Sequence, residues 1–256
     1  MNNLTFSFNS KKIKNIKNPK KLLGGKGANL AEMGRLGMPV PPGFTISTEV
    51  CDLFYKNKKK LPKKVLKHIK QELKNIEKLK GKKFGDLKNP LLVSVRSGAR
   101  VSMPGMMDTI LNLGLNDQTV KALAKKTLNG RFAKDSYRRF IQMYSSVVLN
   151  IEGHLFESMI DNQKLTSGVL LDTELGERDW DELIHRFKDL VRKETKKKFP
   201  QNVEEQLYGA ISAVFLSWES QRAKTYRKLN QIPDHWGTAV NVQSMVFGNM
   251  GSDCST

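Results

Sequence analysis

The stretch Leu91–Asn116, LLVSVRSGARVSMPGMMDTILNLGLN, combines strand signal, glycines, two arginines and a carboxylate more densely than any other part of the chain. Leu91, Leu92, Val93 and Val95 form a short apolar, β-branched run of the kind that makes a buried strand. Ser97 and Gly98 are expected to end that strand in a turn. A turn there leaves backbone N–H groups without ladder partners, and Arg96 and Arg100 flank it with fixed positive charge, a combination suited to a phosphate. On pattern alone, two solvated strand-end arginines are the better-supported alternative.

Upstream, Leu22-Leu23-Gly24-Gly25-Lys26-Gly27 runs into ANLAEMGRLGM, where Leu30, Met33 and Leu36 fall on one helical face. A glycine-rich turn that opens a helix aims free N–H groups and the positive end of the helix dipole at an anion, with Lys26 as a mobile charge. GGKG alone is a weak signal and is not a P-loop, so a flexible turn with an exposed lysine is the plainer reading. Phe6 and Phe8 alternate with polar residues as a weak strand. Met38–Gly43 breaks the chain, Phe44, Ile46 and Ser47 suggest a strand, and Thr48 is expected to cap a helix through Tyr55. From Leu61 to Leu79 a basic amphipathic surface helix is expected, with Val65, Ile69, Leu73 and Ile76 inward.

Downstream the pattern turns helical. Val120, Leu123 and Leu128 suggest one helix, and Asp135–Leu149 another with Phe140, Ile141, Tyr144, Val147 and Val148 on one face. Glu152–Asp161 reads as a short helix. Trp180, Leu183, Ile184, Phe187, Leu190 and Val191 repeat at helical spacing, most simply as a core stripe. Asn202 with Glu205 resembles a capping box, opening one long helix that carries Leu207, Ile211, Phe215, Trp218 and Tyr226. Thr238–Phe247 alternates like a strand, with Val240, Val242, Ser244 and Val246 on one face, and leads into Gly248–Thr256.

The 256 residues are 39% hydrophobic and 27% charged, as in an ordinary globular protein. Forty-four Lys+Arg against 25 Asp+Glu give a net charge of +19, which raises nucleic acid as a partner. The excess is mostly lysine in runs such as Lys56–Lys60, with few aromatics between them to stack on bases, so solvated faces are the preferred reading. Cys51 and Cys254 lie far apart without metal-binding spacing, and the N-terminus lacks the apolar segment of a secretory signal. A soluble, cytoplasmic protein without membrane spans is expected.

VSVRSGARVSMPGMMDTILNLGLN resembles, nearly letter for letter, the corresponding segment of the pyruvate, phosphate dikinases. GGKGANLAEMGRLGMPVPPGFTIST, DSYRRFIQMYSSVV and NVQSMVFG also resemble segments of that family, in the same order. The resemblance implies an α+β (mixed α/β) fold, an incomplete ATP-grasp-type nucleotide-binding domain. Residues 1–115 and 207–256 would form its nucleotide-binding subdomain, with 116–206 an inserted helical subdomain. Family members convert ATP, phosphate and pyruvate to AMP, pyrophosphate and phosphoenolpyruvate with Mg2+.

By that resemblance Lys26 and Arg96 would hold ATP phosphates and stabilise the phosphoryl group in transfer, and Arg139 would bind the γ-phosphate or the attacking phosphate. Gly24, Gly25 and Gly27 would line the phosphate site, and Gly248 and Gly251 would begin a loop that folds over it. Without the resemblance, Arg138 and Arg139 read as a helix-surface ion pair with Asp135. No metal ligands are assigned, because the family's acidic Mg2+ ligands have no counterpart here, and none of His68, His154, His185 and His235 lies in a phosphohistidine motif. The expected protein is therefore a truncated, monomeric dikinase fragment holding an ATP half-site, inactive by itself. One alternative is a non-catalytic remnant or the interaction subunit of a split dikinase, distinguished by a co-purifying partner with the missing acidic strands. A basic nucleic-acid-binding protein is a weaker alternative, and it would bind nucleic acid with steep salt dependence.

Overall fold

A computed structural model describes residues 4–248. The elements in chain order are β1 (Thr5–Ser7), α1 (Pro19–Arg35), β2 (Gly43–Ile46), α2 (Thr48–Lys56), α3 (Lys63–Lys80), β3 (Lys83–Phe84), β4 (Pro90–Leu91) and β5 (Val93–Ala99). They continue with β6 (Thr109–Leu113), α4 (Thr119–Thr127), α5 (Gly130–Val148), α6 (Gly153–Ser167) and α7 (Glu177–Thr195). Last come α8 (Val203–Ser217), α9 (Gln221–Leu229) and β7 (Thr238–Ser244). The fold is mixed α/β with an antiparallel main sheet. Two compact units share the chain: one takes the sequence as far as Lys82, Val93–Thr109 and Tyr208–Met245, the other Lys83–Leu92, Ile110–Leu207 and the sequence from Val246.

In the first unit β1, β2, β7 and β5 lie side by side in that order, every neighbouring pair antiparallel. The centre is β7, buried at every position except Gln243. Its expected alternation to Val246 stops short: the strand ends at Ser244, and Val246 is 64% exposed. The expected turn at Ser97-Gly98 is also corrected. Ser97, Gly98 and Ala99 pair in register with Val240, Ala239 and Thr238, so a full ladder partner carries β5 two residues further.

Helix α3 buries the stripe its spacing predicts, Val65, Ile69, Leu73 and Ile76, and packs on β1 and β2. Helix α1 departs from expectation. Its buried residues are Leu23, Gly24, Gly27, Ala28 and Ala31, while Met33 and Leu36 are exposed. Small residues face the sheet because the helix lies too close to it for leucine-sized side chains. The expected Thr48 cap is replaced too: Ser47 stands at the N-cap, and the Thr48 hydroxyl donates to Lys21 O at 2.9 Å.

The expected continuous helix from Asn202 through Tyr226 is broken. α8 ends at Ser217, and a fresh N-cap, Ser220, accepts from Ala223 N at 3.3 Å to start α9. The break is braced by Arg227, 1% exposed, whose guanidinium lies 4.2 Å from the Trp218 ring centroid and donates to Trp218 O and, at 2.7 Å, to Asp234 Oδ1. That array needs Trp218 off the helical path.

The second unit packs α4–α7, with the parallel pair β3–β4. α5 begins earlier than expected because Asn129 Oδ1 caps Phe132 N at 2.9 Å. Phe156 meets Phe187 edge-on at 4.8 Å, and Phe199 packs against Phe140 and Tyr144. Each such ring contributes about 1.5–3 kcal/mol by burial. The buried Gln206 amide is satisfied by donating to Leu115 O and Pro200 O and accepting from Gly114 N.

Candidate anion-binding cleft

The first unit's cleft begins with one backbone angle. Gly24 has φ 69° and ψ 174°, so α1 is interrupted there and helical geometry starts afresh at Gly25. That conformation is essentially closed to residues with a Cβ. A Cβ at Gly24 would lie 1.6 Å from Gly98 O, and one at Gly25 3.3 Å from Arg100 O, so the new helix start is pressed against the backbone of β5. A third close approach follows one residue after Lys26, where a Cβ on Gly27 would stand 2.6 Å from Thr45 Oγ1.

This contact joins Gly24 to Gly98, far apart in sequence, and sets Lys26 close to Arg96. Lys26 is exposed at its surface, yet desolvation first and the Arg96 charge second pull its ammonium below the ordinary 10.5. It therefore gives up its proton at lower pH than a free lysine, and an anion between the two cations would push it back up. Arg96 is half-buried, and its Nε has no hydrogen-bond partner. Arg100 goes elsewhere: its guanidinium sits 5.0 Å from the Trp236 ring centroid, and burial lowers its pKa.

Between the restarted helix and the end of β5 lies a cleft of about 650 Å3, a volume typical of small-ligand sites. Gly25, Lys26 and Gly98 line it, with Leu30, Met33 and Met103 as apolar wall. Leu30 and Met33, two residues of the apolar face read from the sequence, thus face the cleft. No carboxylate lines it, and among the described residues no group of three His, Cys, Asp or Glu could hold a metal ion.

Arg139 lies in the second unit, on α5. Asp135, 6% exposed, divides its carboxylate: Oδ1 accepts from Arg138, and Oδ2 accepts from Arg139 Nε at 3.0 Å. Arg138 is buried with its guanidinium 4.4 Å from the Trp180 ring centroid, whereas the Arg139 side chain is 57% exposed. The ion pair read from the sequence is present, and it holds Arg139 by Nε. Gly248 is the last described residue; Gly251 lies outside the described residues.

Sequence reasoning passed over Thr45 and Asn241, each 1% exposed beneath Gly27. The available signal was a polar side chain at an inward position of a buried strand, in GFTI and AVNV. Such groups need partners or a purpose.

The family model described as "Pyruvate phosphate dikinase, AMP/ATP-binding domain" matches residues 20–82 and 56–255. The chain is 56% identical over 92% of its length to a pyruvate, phosphate dikinase of Clostridium symbiosum, and 52% identical over 93% to one of Entamoeba histolytica. It is 49% identical over 98% to pyruvate, phosphate dikinase 2 of Zea mays. It spans 27%, 27% and 28% of those relatives, about a quarter of their length. No helix among the described residues is long and apolar enough to cross a membrane. The chain belongs to the pyruvate phosphate dikinase AMP/ATP-binding domain family.

Proposed function

We propose that the first unit is the phosphate-binding half of an ATP-grasp-type nucleotide site. Lys26 and Arg96 hold the nucleotide's phosphates, and Gly24, Gly25 and Gly27 let the backbone approach them. The observation that carries this reading is the Gly24–Gly98 contact, which brings a restarted helix N-terminus and Lys26 to one cleft, with Arg96 near enough to pull the Lys26 pKa down. N–H groups in the first helical turn lack intrahelical partners and carry the positive end of the dipole, so they add to the two side chains. Phosphoryl-transfer sites act mainly by positioning and charge stabilisation, which is what such an arrangement offers.

By resemblance, Arg139 on α5 binds a terminal or attacking phosphate, and residues 116–206 form a helical insertion in a nucleotide-binding subdomain made of 1–115 and 207–256. The 256 residues hold no phosphohistidine motif, and the activity proposed for them is nucleotide binding.

Thermal unfolding in the presence of ligand tests the proposal. MgATP at about a hundred times its Kd adds about 2.7 kcal/mol, roughly 5–10 °C for a chain of this size. Adenosine at equal concentration is expected to give no comparable shift. Equal shifts from both, or none from MgATP, would show that phosphate recognition is absent.

A further inference from the structure

We infer that Asn241 is a third hydrogen-bond donor of the anion site, its side-chain amide sharing one phosphoryl oxygen with Arg96; this rests on the phosphate-binding reading of the cleft. Thr45 on β2 pairs in register with Asn241 on β7, and Asn241 with Arg96 on β5. Directly opposed residues of antiparallel strands point to the same face. The face is the one α1 covers, since a Cβ on Gly27 would stand 2.6 Å from Thr45 Oγ1 and 2.9 Å from Asn241 Oδ1.

The Thr45 hydroxyl donates to Asn241 Oδ1 at 2.8 Å, which turns Nδ2 away from Thr45. Nδ2 comes up against Gly98, where a Cβ would lie 2.6 Å from it. Gly98 also lines the cleft, so a residue without a side chain is what lies between the cleft and the buried Nδ2. Asn241 is 1% exposed, and both its Nδ2 and the buried Nε of Arg96 lack hydrogen-bond partners.

Neither group can relieve the other. An amide NH2 and a guanidinium carry only donors, and Lys26 adds an ammonium to the same neighbourhood. Buried unsatisfied donors are costly and uncommon in folded chains. Two unsatisfied donors beside an ammonium are complementary to an acceptor-rich anion, and one phosphoryl oxygen beside Gly98 would satisfy Nδ2 and Nε together.

The test is calorimetric titration of the whole chain with inorganic tripolyphosphate, for wild type, Asn241→Ala and Asn241→Asp, with thermal unfolding of each in the absence of ligand. A purely structural asparagine moves affinity and stability together. The inference predicts that they part. Asn241→Asp, whose carboxylate can accept from Arg96 and Thr45, should unfold at or above the temperature of Asn241→Ala. It should nevertheless bind tripolyphosphate about tenfold more weakly than Asn241→Ala, which should itself bind about tenfold more weakly than wild type. If Asn241→Ala does not fold, Asn241→Ser keeps a hydroxyl donor and must bind at least about tenfold more tightly than Asn241→Asp. Unchanged affinity in Asn241→Ala, or equal affinity of the Ser and Asp variants, overturns the inference. Wild type that binds no tripolyphosphate overturns the reading of the cleft and the inference with it.

Discussion

A Gly24→Ala chain is expected to lose on the order of 4 kcal/mol of stability, and its anion binding with it. Two costs add. An alanine at φ 69°, ψ 174° occupies backbone space that is essentially reserved for glycine, costing about 1–3 kcal/mol. Its methyl group would also fall 1.6 Å from Gly98 O, and overpacking of this kind costs about 1–3 kcal/mol. The obstacle is main chain in a paired strand and cannot turn aside as a side-chain tip could. Relief requires α1 to lift from β5, which separates Lys26 from Arg96 and opens the cleft. Gly37→Ala is the control, because Gly37 has φ 78° but nothing within 4 Å of a built Cβ. It should lose only the cost of backbone strain, about 1–2 kcal/mol. Denaturant unfolding of the two variants checks this, and equal losses would mean that the Gly24–Gly98 approach is not tight.

Asp135→Ala is expected to cost about 3–5 kcal/mol, the loss typical of breaking a buried ion pair on one side. The cost comes from what is left behind. The Arg138 side chain is 6% exposed, its Nε already lacks a partner, and burial lowers its pKa against the opposing pull of Asp135. Without the carboxylate its charge would rest on the Trp180 face and a 3.4 Å hydrogen bond to Gln142. The double variant Asp135→Ala/Arg138→Met should therefore recover most of the loss, since it removes the orphaned charge and keeps an apolar stem over Trp180. A double variant no more stable than Asp135→Ala would show that the carboxylate matters for some reason other than Arg138.

Much of this architecture is readable before any coordinates. The helices that show themselves are amphipathic ones with a wide apolar stripe: Val65, Ile69, Leu73 and Ile76 in α3, and Trp180 to Val191 in α7, are buried as their spacing implies. The family is readable as well, from long motifs in a fixed order. What escapes periodicity is set by tertiary contact. Whether β5 stops at Ser97 depends on the length of β7 beside it. The helix from Asn202 breaks near Trp218 because a buried arginine draws that ring and its carbonyl aside.

The inward face of α1 is small rather than apolar because the sheet comes so close, so counting leucines picks the cleft side instead. At the candidate site, GGKG and SVRSG are visible as motifs, but their meeting through Gly24 and Gly98 is not. Thr45 and Asn241 read as ordinary strand residues until the register aligns them with Arg96.

The measurement that bears most directly on the phosphate site is calorimetric titration of the chain with MgATP, beside Lys26→Ala and Arg96→Ala, at low and high salt. The proposed site predicts saturable binding that either substitution weakens about tenfold or more, since one charge-assisted hydrogen bond contributes roughly 1.5–3 kcal/mol. Binding should also weaken as salt rises. No heat from wild type, or heat that both substitutions leave unchanged, would contradict the account.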